Sequence, residues 1–420
     1  MEDCETFLIL CCGAAAAVIL EEEKSQYNNK KPRQWVREWV RRRNDEGCCS
    51  KLLKELRLET PSLYSNFLRM NSSDFDYLLK LVTPLIKKQT TKLRQPISPT
   101  ERLAVTLRYL ATGESFRSLQ YVFRIPHNTI SGIIPEVCDA IYSVLQPNYL
   151  KIPSSEEEWK SVSEKFLQLW NFPNCIGSID GKHVVMTAPT HSGSVYYNYK
   201  GTHSIVLMAI SDASYKFLYI DVGSNGRISD GGVFRKCSFH NALVNKKLNI
   251  PPPKPLPMRT MPVPYLLVAD DAFALTPNLI KPFSARNMNA MQRVFNYRLS
   301  RARRVIENAF GIMSARFRVM RSPIKLEPLK TRQITLACCV LHNFLMSQQS
   351  SIYFNSNLVD HYSEDGTLIP GEWRNEQIGS SLSSIQTPSY YIAPEASKIR
   401  EEFSQYFVEE GEVSFQYKHI

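Results

Sequence analysis

The chain has 420 residues, of which 43% are hydrophobic, 22% charged and 11% aromatic, and it carries a formal net charge of +11. This length allows one large domain or two to three smaller ones. The composition excludes collagen-like, wholly disordered and polytopic membrane proteins, because it lies close to ordinary globular usage. Ten cysteines without framework spacing or a CxxC pair indicate reduced, intracellular thiols.

The first apolar run spans residues 7–20 (FLILCCGAAAAVIL) and is shorter than the roughly 17 residues that a membrane-spanning helix needs. The residues before it are acidic where a secretory signal peptide would be basic. We therefore interpret the run as a buried or partner-binding helix and expect no membrane association. Short apolar clusters between residues 34 and 88 predict a helical N-terminal region over 1–95.

A helix-turn-helix-like DNA-binding unit is predicted over residues 96–148. Ser98, Pro99 and Glu101 form a helix-start signal, and a second amphipathic segment and a turn lead into a third helix. Pro135 opposes this interpretation because it should kink or restart the reading helix, and many structural three-helix units share the pattern. The residues predicted to contact DNA here are Arg117, Arg124, His127, Asn128 and Thr129.

Residues 149–172 are predicted to form a polar linker, and residues 173–346 have the pattern of an α/β, ribonuclease-H-like nuclease domain. Three segments rich in β-branched and aromatic residues between 175 and 226 predict strands. A helical stretch, a fourth apolar run that ends at Ala269 and a basic helix at about 297–316 follow. Periodicity alone leaves three helices open as an alternative to the strands.

The net charge is concentrated in one stretch, since 13 basic residues and only two acids lie between Lys281 and Arg332. Such a stretch favours polyanion binding, because phosphate neutralisation releases counterions, although a solvated basic helix is the alternative. Residues 347–420 carry four basic and 11 acidic residues, and we expect a partly mobile tail with one helix. The arginines predicted to contact DNA in the basic stretch are Arg298, Arg301, Arg303, Arg304, Arg316 and Arg318.

Three carboxylates are candidates for catalysis: Asp180 in the first strand, Asp270 at the end of the fourth, and Glu307 on the basic helix. Acids in apolar surroundings are usually neutralised, paired or bound to metal, because an unpaired buried charge is costly. Mg²⁺ binds carboxylates together with phosphate oxygens. Two such ions could support in-line hydrolysis of a phosphodiester bond, so the sequence predicts an Asp-Asp-Glu two-metal site.

Five strings carry a family resemblance: IDGKHV (179–184), VGSNGRISDGGVF (222–234), VADDAF (268–273), FNYRLSRARRVIENAFG (295–311) and LHNFL (341–345). In this order they resemble the PIF/Harbinger superfamily of DDE transposases and its domesticated nuclease relatives. The resemblance extends from about Phe67 to the C-terminus, where IREEFSQYF is similar to the closing helix of the family. It implies a ribonuclease-H-like core that cleaves DNA at transposon ends with Mg²⁺ or Mn²⁺, and it assigns the three acids to Asp180, Asp270 and Glu307.

The resemblance also implies partners and a compartment. We expect DNA, a homo-oligomer and a separate Myb-like DNA-binding protein that assists nuclear entry, with the chain in the nucleus and a cytoplasmic pool. The basic runs at 30–33 and 41–43 could serve as import signals. A catalytically silent domesticated transposase that binds DNA or recruits partners is the alternative function, and an RNA-directed hydrolase would share the same chemistry.

Several other residues have competing interpretations. Asp271 could bind metal in place of Asp270, but strand alternation favours Asp270. His183 is interpreted as structural rather than catalytic. Turn or helix-cap roles are predicted for Asp212, Asp221 and Asp230, and core positions rather than a zinc site for Cys338, Cys339 and His342.

Overall fold

The computed structural model describes residues 12–24, 36–90, 95–284, 286–348, 353–363, 365–375, 382–384, 391 and 393–419. Within these ranges, every helix is too short or too polar to cross a bilayer. The chain forms a helical N-terminal region and a mixed sheet that is covered by helices.

The N-terminal region is helical, as the apolar clusters predicted. Leu68, Leu78 and Val82 are fully buried and belong to the largest hydrophobic core. The first helix begins within the apolar run 7–20 and extends to residue 24, and residues 7–11 lie outside the described residues. Its described residues are all exposed, so they are not buried in this chain, and the partner-binding alternative stays a prediction. The helices are α1 (12–24), α2 (Glu38–Arg41), α3 (Arg43–Glu46), α4 (Leu52–Glu59), α5 (Pro61–Leu68) and α6 (Ser72–Ile86).

Three helices occupy the segment predicted as a DNA-binding unit: α7 (Pro99–Thr112), α8 (Phe116–Phe123) and α9 (His127–Tyr149). The predicted capping box is confirmed, because the Ser98 hydroxyl accepts from the backbone N–H of Glu101 and the Glu101 carboxylate accepts from that of Ser98. Pro135 lies inside α9, which continues without interruption, so the expected break is absent. These helices share one core with the nuclease-like region.

The segment predicted as a polar linker contains a helix, α10 (Glu156–Trp170), and this prediction was wrong. The run of acids that suggested a linker lies in the first turn of α10, where negative side chains interact favourably with the helix dipole. Ser155 caps the helix by accepting from the backbone N–H of Glu158. Trp159 and Phe166 are fully buried and anchor α10 to the sheet layer.

The main sheet begins with the three predicted strands, β1 (Cys175–Met186), β2 (His203–Ser211) and β3 (Phe217–Asn225), which pair as an antiparallel meander. The strands are therefore confirmed and the helical alternative is wrong. Parallel strands β6 (Leu266–Val268) and β7 (Leu279–Ile280) extend the sheet to give the order β3-β2-β1-β6-β7. This order places the end of β6 beside the middle of β1, where Asp180 lies.

Helices flank this sheet, and short strands complete it. Apolar side chains of the long helix α13, including Val305, Ile306 and Ala309, are fully buried in the cores. The flanking helices are α11 (Asp230–Lys236), α12 (Ser238–Val244), α13 (Ala290–Arg316) and α14 (Pro328–Ser347). The short strands in this part are β4 (Lys254–Pro255) and β5 (Pro262–Val263), and a short 3-10 helix spans Arg318–Arg321.

The C-terminal region, predicted to be partly mobile, packs on the core wherever it is described. Phe403 and Phe407 of α16 (Pro394–Val408), the predicted closing helix, are fully buried against Phe172. Trp373 packs so closely on α13 that a Cβ added to Gly311 would lie 2.4 Å from its ring. The other elements are β8 (His361–Tyr362), β9 (Leu368–Ile369), α15 (Glu372–Asn375), β10 (Leu382–Ser384), which pairs with β1, and 3-10 helices at Ser356–Leu358 and Gln416–His419.

Candidate metal centre

Asp180 lies in the middle of β1 and is 2% exposed. Its Oδ1 atom accepts from the backbone N–H of Gly181 at 2.9 Å, and its Oδ2 atom lies 2.8 Å from Nζ of Lys182. Because β1 lies between β2 and β6 in the sheet, this carboxylate is shielded from water. Its charge must therefore be balanced by nearby cations or by a ligand.

Asp270 lies two residues beyond the last residue of β6, close to the predicted strand end, and its side chain lies beside Asp180. Its Oδ1 atom accepts from the backbone N–H of Ala272 at 3.0 Å. Asp271 is exposed and lies outside the acidic cluster. The placement therefore favours Asp270 over its neighbour, in agreement with the strand alternation.

Asp230 is the third acid of the cluster, and the prediction that it caps a helix or forms a turn was wrong. One carboxylate oxygen each of Asp180, Asp230 and Asp270 lies within 4.8 Å of the other two. Ser229 is the N-cap of α11, while the side chain of Asp230 is fully buried and neither of its oxygens has a hydrogen-bond partner.

Gly181 makes room for Asp230. A Cβ atom at Gly181 would lie 1.8 Å from Oδ1 of Asp230, so any larger residue would displace this carboxylate. Asp230 lies in the string VGSNGRISDGGVF (222–234), one of those that carry the family resemblance, but nothing in this string indicates a contact with Gly181. The role of Asp230 thus becomes visible only in the folded chain.

The three carboxylates repel one another. Burial, together with the charges of Asp180 and Asp270, raises the pKa of Asp230 well above its usual value. Burial and the charge of Asp180 likewise raise the pKa of Asp270 to about 7. A divalent cation would relieve both effects, because hard ions such as Mg²⁺ bind clustered carboxylate oxygens. The orphaned oxygens of Asp230 fit such an ion.

Glu307 lies on α13 and is held by arginines instead of by the three aspartates. Its Oε1 atom lies 2.7 Å from Nη2 of Arg303, and its Oε2 atom lies 3.5 Å from Nη2 of Arg374. Burial acts to raise the pKa of Glu307, but Arg303 and Lys182 outweigh it, so the net shift is downward. Arg303 also acts electrostatically on Asp180 and Asp270, which places Glu307 next to the cluster.

The basic helix is less available to DNA than its charge suggested. Arg298 is 1% exposed and donates to the carbonyls of Gly411 and Asn171, while Arg301 is 6% exposed and stacks on Tyr362. Neither guanidinium is on the surface, so both have structural contacts in place of the expected DNA contacts. Two of the other predicted arginines also have protein contacts, because Arg303 pairs with Glu307 and Arg316 donates to the Tyr353 carbonyl. Of the remaining two, Arg304 is half-buried and Arg318 is exposed.

In the three-helix segment, Arg124 is half-buried and contacts Glu46 at 2.6 Å and the Trp39 carbonyl at 2.9 Å. It therefore joins α8 to the first helices of the chain. Arg117 and Asn128 are exposed, and Thr129 is half-buried at the beginning of α9.

The remaining candidates lie in the interior, and the structural role of His183 stays a prediction, because its buried Nε2 atom has no hydrogen-bond partner. His183 is fully buried and its Nδ1 atom lies 2.9 Å from the Ser204 hydroxyl. Burial lowers the pKa of His183 to about 4. The core positions predicted in place of a zinc site are confirmed, since the side chains of Cys338, Cys339 and His342 are all fully buried in α14.

Comparison with known proteins finds one family profile and several similar proteins. A protein-family profile described as "DDE superfamily endonuclease" matches residues 179–343. The chain is 28% identical over 345 residues to "Protein ALP1-like" of Arabidopsis thaliana, an alignment that covers 77% of this chain and 83% of the relative.

Vertebrate proteins named "Putative nuclease HARBI1" are also similar. The Xenopus laevis protein is 24% identical over 67% of this chain and 77% of its own length, and the Homo sapiens protein is 23% identical over 66% and 75%. No solved structure matches the chain.

Proposed function

Because this chain belongs, with the ALP1-like and HARBI1 proteins, to the Harbinger transposase-derived DDE nucleases, we propose that it is a metal-dependent DNA endonuclease of the transposase type. The observation that carries the proposal is the buried cluster of Asp180, Asp230 and Asp270, in which Asp230 has two oxygens without partners. A ribonuclease-H-like core is part of the proposal, and the mixed sheet with flanking helices agrees with it.

Asp180, Asp230 and Asp270 would hold a divalent cation, Mg²⁺ or Mn²⁺, and Glu307 would complete an Asp-Asp-Glu two-metal site. Bound there, such ions would polarise the phosphodiester and lower the pKa of the attacking water. The chain itself excludes bulk water from Asp180 and Asp230 and fixes Asp270 through the backbone N–H of Ala272. Arg303 would bind phosphate oxygens, because it acts electrostatically on Glu307 and on the aspartates of the cluster.

DNA binding is proposed for two surfaces. The exposed Arg117 and Asn128 would read DNA from the helix-turn-helix-like segment. Arg304, which acts electrostatically on Glu307, would contact the DNA backbone near the metal centre, and Arg318 would contact it from the 3-10 helix after α13. A Myb-like partner, a homo-oligomer and residence in the nucleus with a cytoplasmic pool belong to the same proposal. They rest on the resemblance to transposases of this family.

A catalytically silent DNA-binding or partner-recruiting protein is the second candidate. One observation favours it: cations of the chain already occupy the carboxylates, with Lys182 on Asp180 and Arg303 and Arg374 on Glu307. Such pairs could stabilise a fold that has lost its metal.

A plasmid-nicking assay with Mg²⁺ or Mn²⁺ separates the two candidates. The wild type should nick supercoiled DNA, and Asp180→Asn, Asp270→Asn, Asp230→Asn and Glu307→Gln should each abolish nicking. Asp221→Asn, a half-buried acid of the edge strand β3 outside the cluster, is the matched control and should remain active. Nicking by Asp180→Asn at the wild-type rate would contradict the assignment, and an inactive wild type would favour the silent protein.

A further inference from the structure

Lys182 is placed to act on the metal centre directly. It lies two residues beyond Asp180 on β1, so both side chains are on the same face of the strand. Its Nζ atom is 2.8 Å from Oδ2 of Asp180 and 5.7 Å from the ring centre of Phe310, and its side chain is 12% exposed. The ammonium group therefore lies at the edge of the carboxylate cluster.

This lysine is paired in spite of its burial, because the carboxylate of Asp180 lies 2.8 Å from its ammonium nitrogen. Lys182 thus forms an ion pair with one carboxylate of the cluster. Its positive charge offsets part of the repulsion among Asp180, Asp230 and Asp270.

A divalent cation and this ammonium group compete for the same carboxylate. Both oxygens of Asp180 already accept a hydrogen bond, Oδ1 from Gly181 and Oδ2 from Lys182. A cation bound by the cluster would withdraw electron density from Asp180 and repel the ammonium at short range in a site of low dielectric constant. Once released from Asp180, the ammonium could pair with a phosphate oxygen of bound nucleic acid, in addition to its attraction to Glu307.

We propose that Lys182 is an exchangeable counter-ion of the metal centre: it pairs with Asp180 before metal binds, leaves Asp180 when a divalent cation binds, and then contacts a DNA phosphate. The inference rests on the proposed function, in that the cluster binds metal. It makes metal and DNA binding mutually favourable, because each ligand removes a cost of binding the other.

The first test measures metal affinity without DNA. Calorimetric titration with Ca²⁺, a hard cation with the same oxygen preference as Mg²⁺, is carried out on the wild type, Lys182→Met and Lys182→Arg at a pH of about 8. Lys182→Met should bind Ca²⁺ about tenfold more tightly, which corresponds to about 1.4 kcal/mol, because the competing charge is gone. Lys182→Arg keeps the charge and should bind like the wild type.

Matched controls make the result specific. Lys247→Met removes the same charge from an exposed site and should leave Ca²⁺ affinity unchanged. Asp230→Asn should remove binding in either background. The methionine stem can keep the contact with Phe310, and circular dichroism and thermal melting verify that Lys182→Met is folded. If that variant is unfolded, Lys182→Gln takes its place, because it removes the charge and retains a long side chain.

The second test measures the coupling. A labelled duplex of mixed sequence should raise the Ca²⁺ affinity of the wild type several-fold more than that of Lys182→Met. Equal coupling in both proteins, or equal Ca²⁺ affinity without DNA, would overturn the role of Lys182 and leave the metal centre intact. Absence of Ca²⁺ binding by the wild type and by Lys182→Met alike would overturn both this inference and the proposed function.

Discussion

A buried polar cluster on α14 and the carboxylate cluster on the sheet differ in how their hydrogen-bonding capacity is satisfied. In α14, the amide of Asn343 donates to the carbonyls of Tyr149 and Phe217 and accepts from the backbone N–H of Phe217. In the carboxylate cluster, both oxygens of Asp230 have no partner. The first cluster satisfies its hydrogen bonds within the protein, whereas the second leaves two buried oxygens without a protein partner, as a ligand site would.

His342 extends the satisfied cluster. Its Nδ1 atom lies 2.9 Å from the Tyr353 hydroxyl and its Nε2 atom lies 2.8 Å from the Tyr215 carbonyl. Asn343 and His342 belong to the string LHNFL, which also contributed to the family resemblance. This motif therefore stabilises the fold by connecting α9 and β3 through α14, whereas other motifs of the resemblance contain the acids proposed for catalysis.

The largest expected effect comes from the satisfied cluster. Asn343→Ala removes three hydrogen bonds of a side chain that is 1% exposed and leaves backbone groups of Phe217 unpaired. We expect the free energy of unfolding to fall by about 4 kcal/mol, since each unsatisfied buried group costs roughly 1–3 kcal/mol. Urea denaturation with and without Ca²⁺ measures it, and a loss below about 1 kcal/mol would contradict the comparison.

The two clusters should respond to pH with opposite signs. The pKa of Asp270 is raised from 3.8 to about 7, so without metal its contribution to stability is lost as the pH rises from about 4 to about 7. The pKa of His342 is lowered from 6.5 to about 4 by burial, so its contribution is lost as the pH falls through that range.

The difference in unfolding free energy between the wild type and Asp270→Asn isolates the first effect. In the presence of a chelator, the wild type should lose about 3 kcal/mol relative to Asp270→Asn between pH 4 and pH 7. Denaturation curves of both proteins across this range test it. A difference that is independent of pH would show that Asp270 titrates normally.

A smaller effect is expected at Gly181. Gly181→Ala places a methyl group 1.8 Å from Oδ1 of Asp230 and should lower the free energy of unfolding by about 2 kcal/mol. It should also abolish Ca²⁺ binding, because Asp230 is displaced. Gly132→Ala is the matched control, because a Cβ at this position of α9 has nothing within 4 Å. It should stabilise the protein by about 0.5–1 kcal/mol, since alanine favours a helix. Equal effects of the two substitutions would remove Gly181 from the argument.

The sequence predicted those parts of the fold and site that depend on local pattern. Alternating β-branched runs located β1 to β3, and the apolar run before Asp270 placed this acid at the end of β6. The capping box at Ser98 and Glu101 was equally local. These features follow from residues within one element, so no long-range contact was needed to find them.

The features that the sequence did not predict depend on distant residues. Asp230 enters the cluster because Gly181, 49 positions earlier in the chain, has no side chain. Arg298 is buried because its guanidinium donates hydrogen bonds to the carbonyls of Asn171 and Gly411. Charge and periodicity carry no information on such contacts, and a run of arginines therefore resembled a DNA-binding face.

Asp230→Asn gives the smallest change in stability and the sharpest contrast with Asn343→Ala. It removes a fully buried charge that Asp180 and Asp270 repel, and its new amide can donate to either of them. The metal-free protein should therefore become more stable at pH 8 by about 1 kcal/mol, opposite in sign to the loss at Asn343. Thermal melting with and without Ca²⁺ measures both this gain and the disappearance of stabilisation by the ion.

The sign of that change decides what the unpaired oxygens of Asp230 mean. Replacing a residue that is retained for stability should destabilise the protein, as we expect for Asn343. A residue retained for a ligand should stabilise the ligand-free protein when it is replaced and abolish its response to the ion. Loss of stability in Asp230→Asn without metal, with the response to Ca²⁺ unchanged, would place Asp230 among the structural residues and leave Asp180 and Asp270 without their third carboxylate.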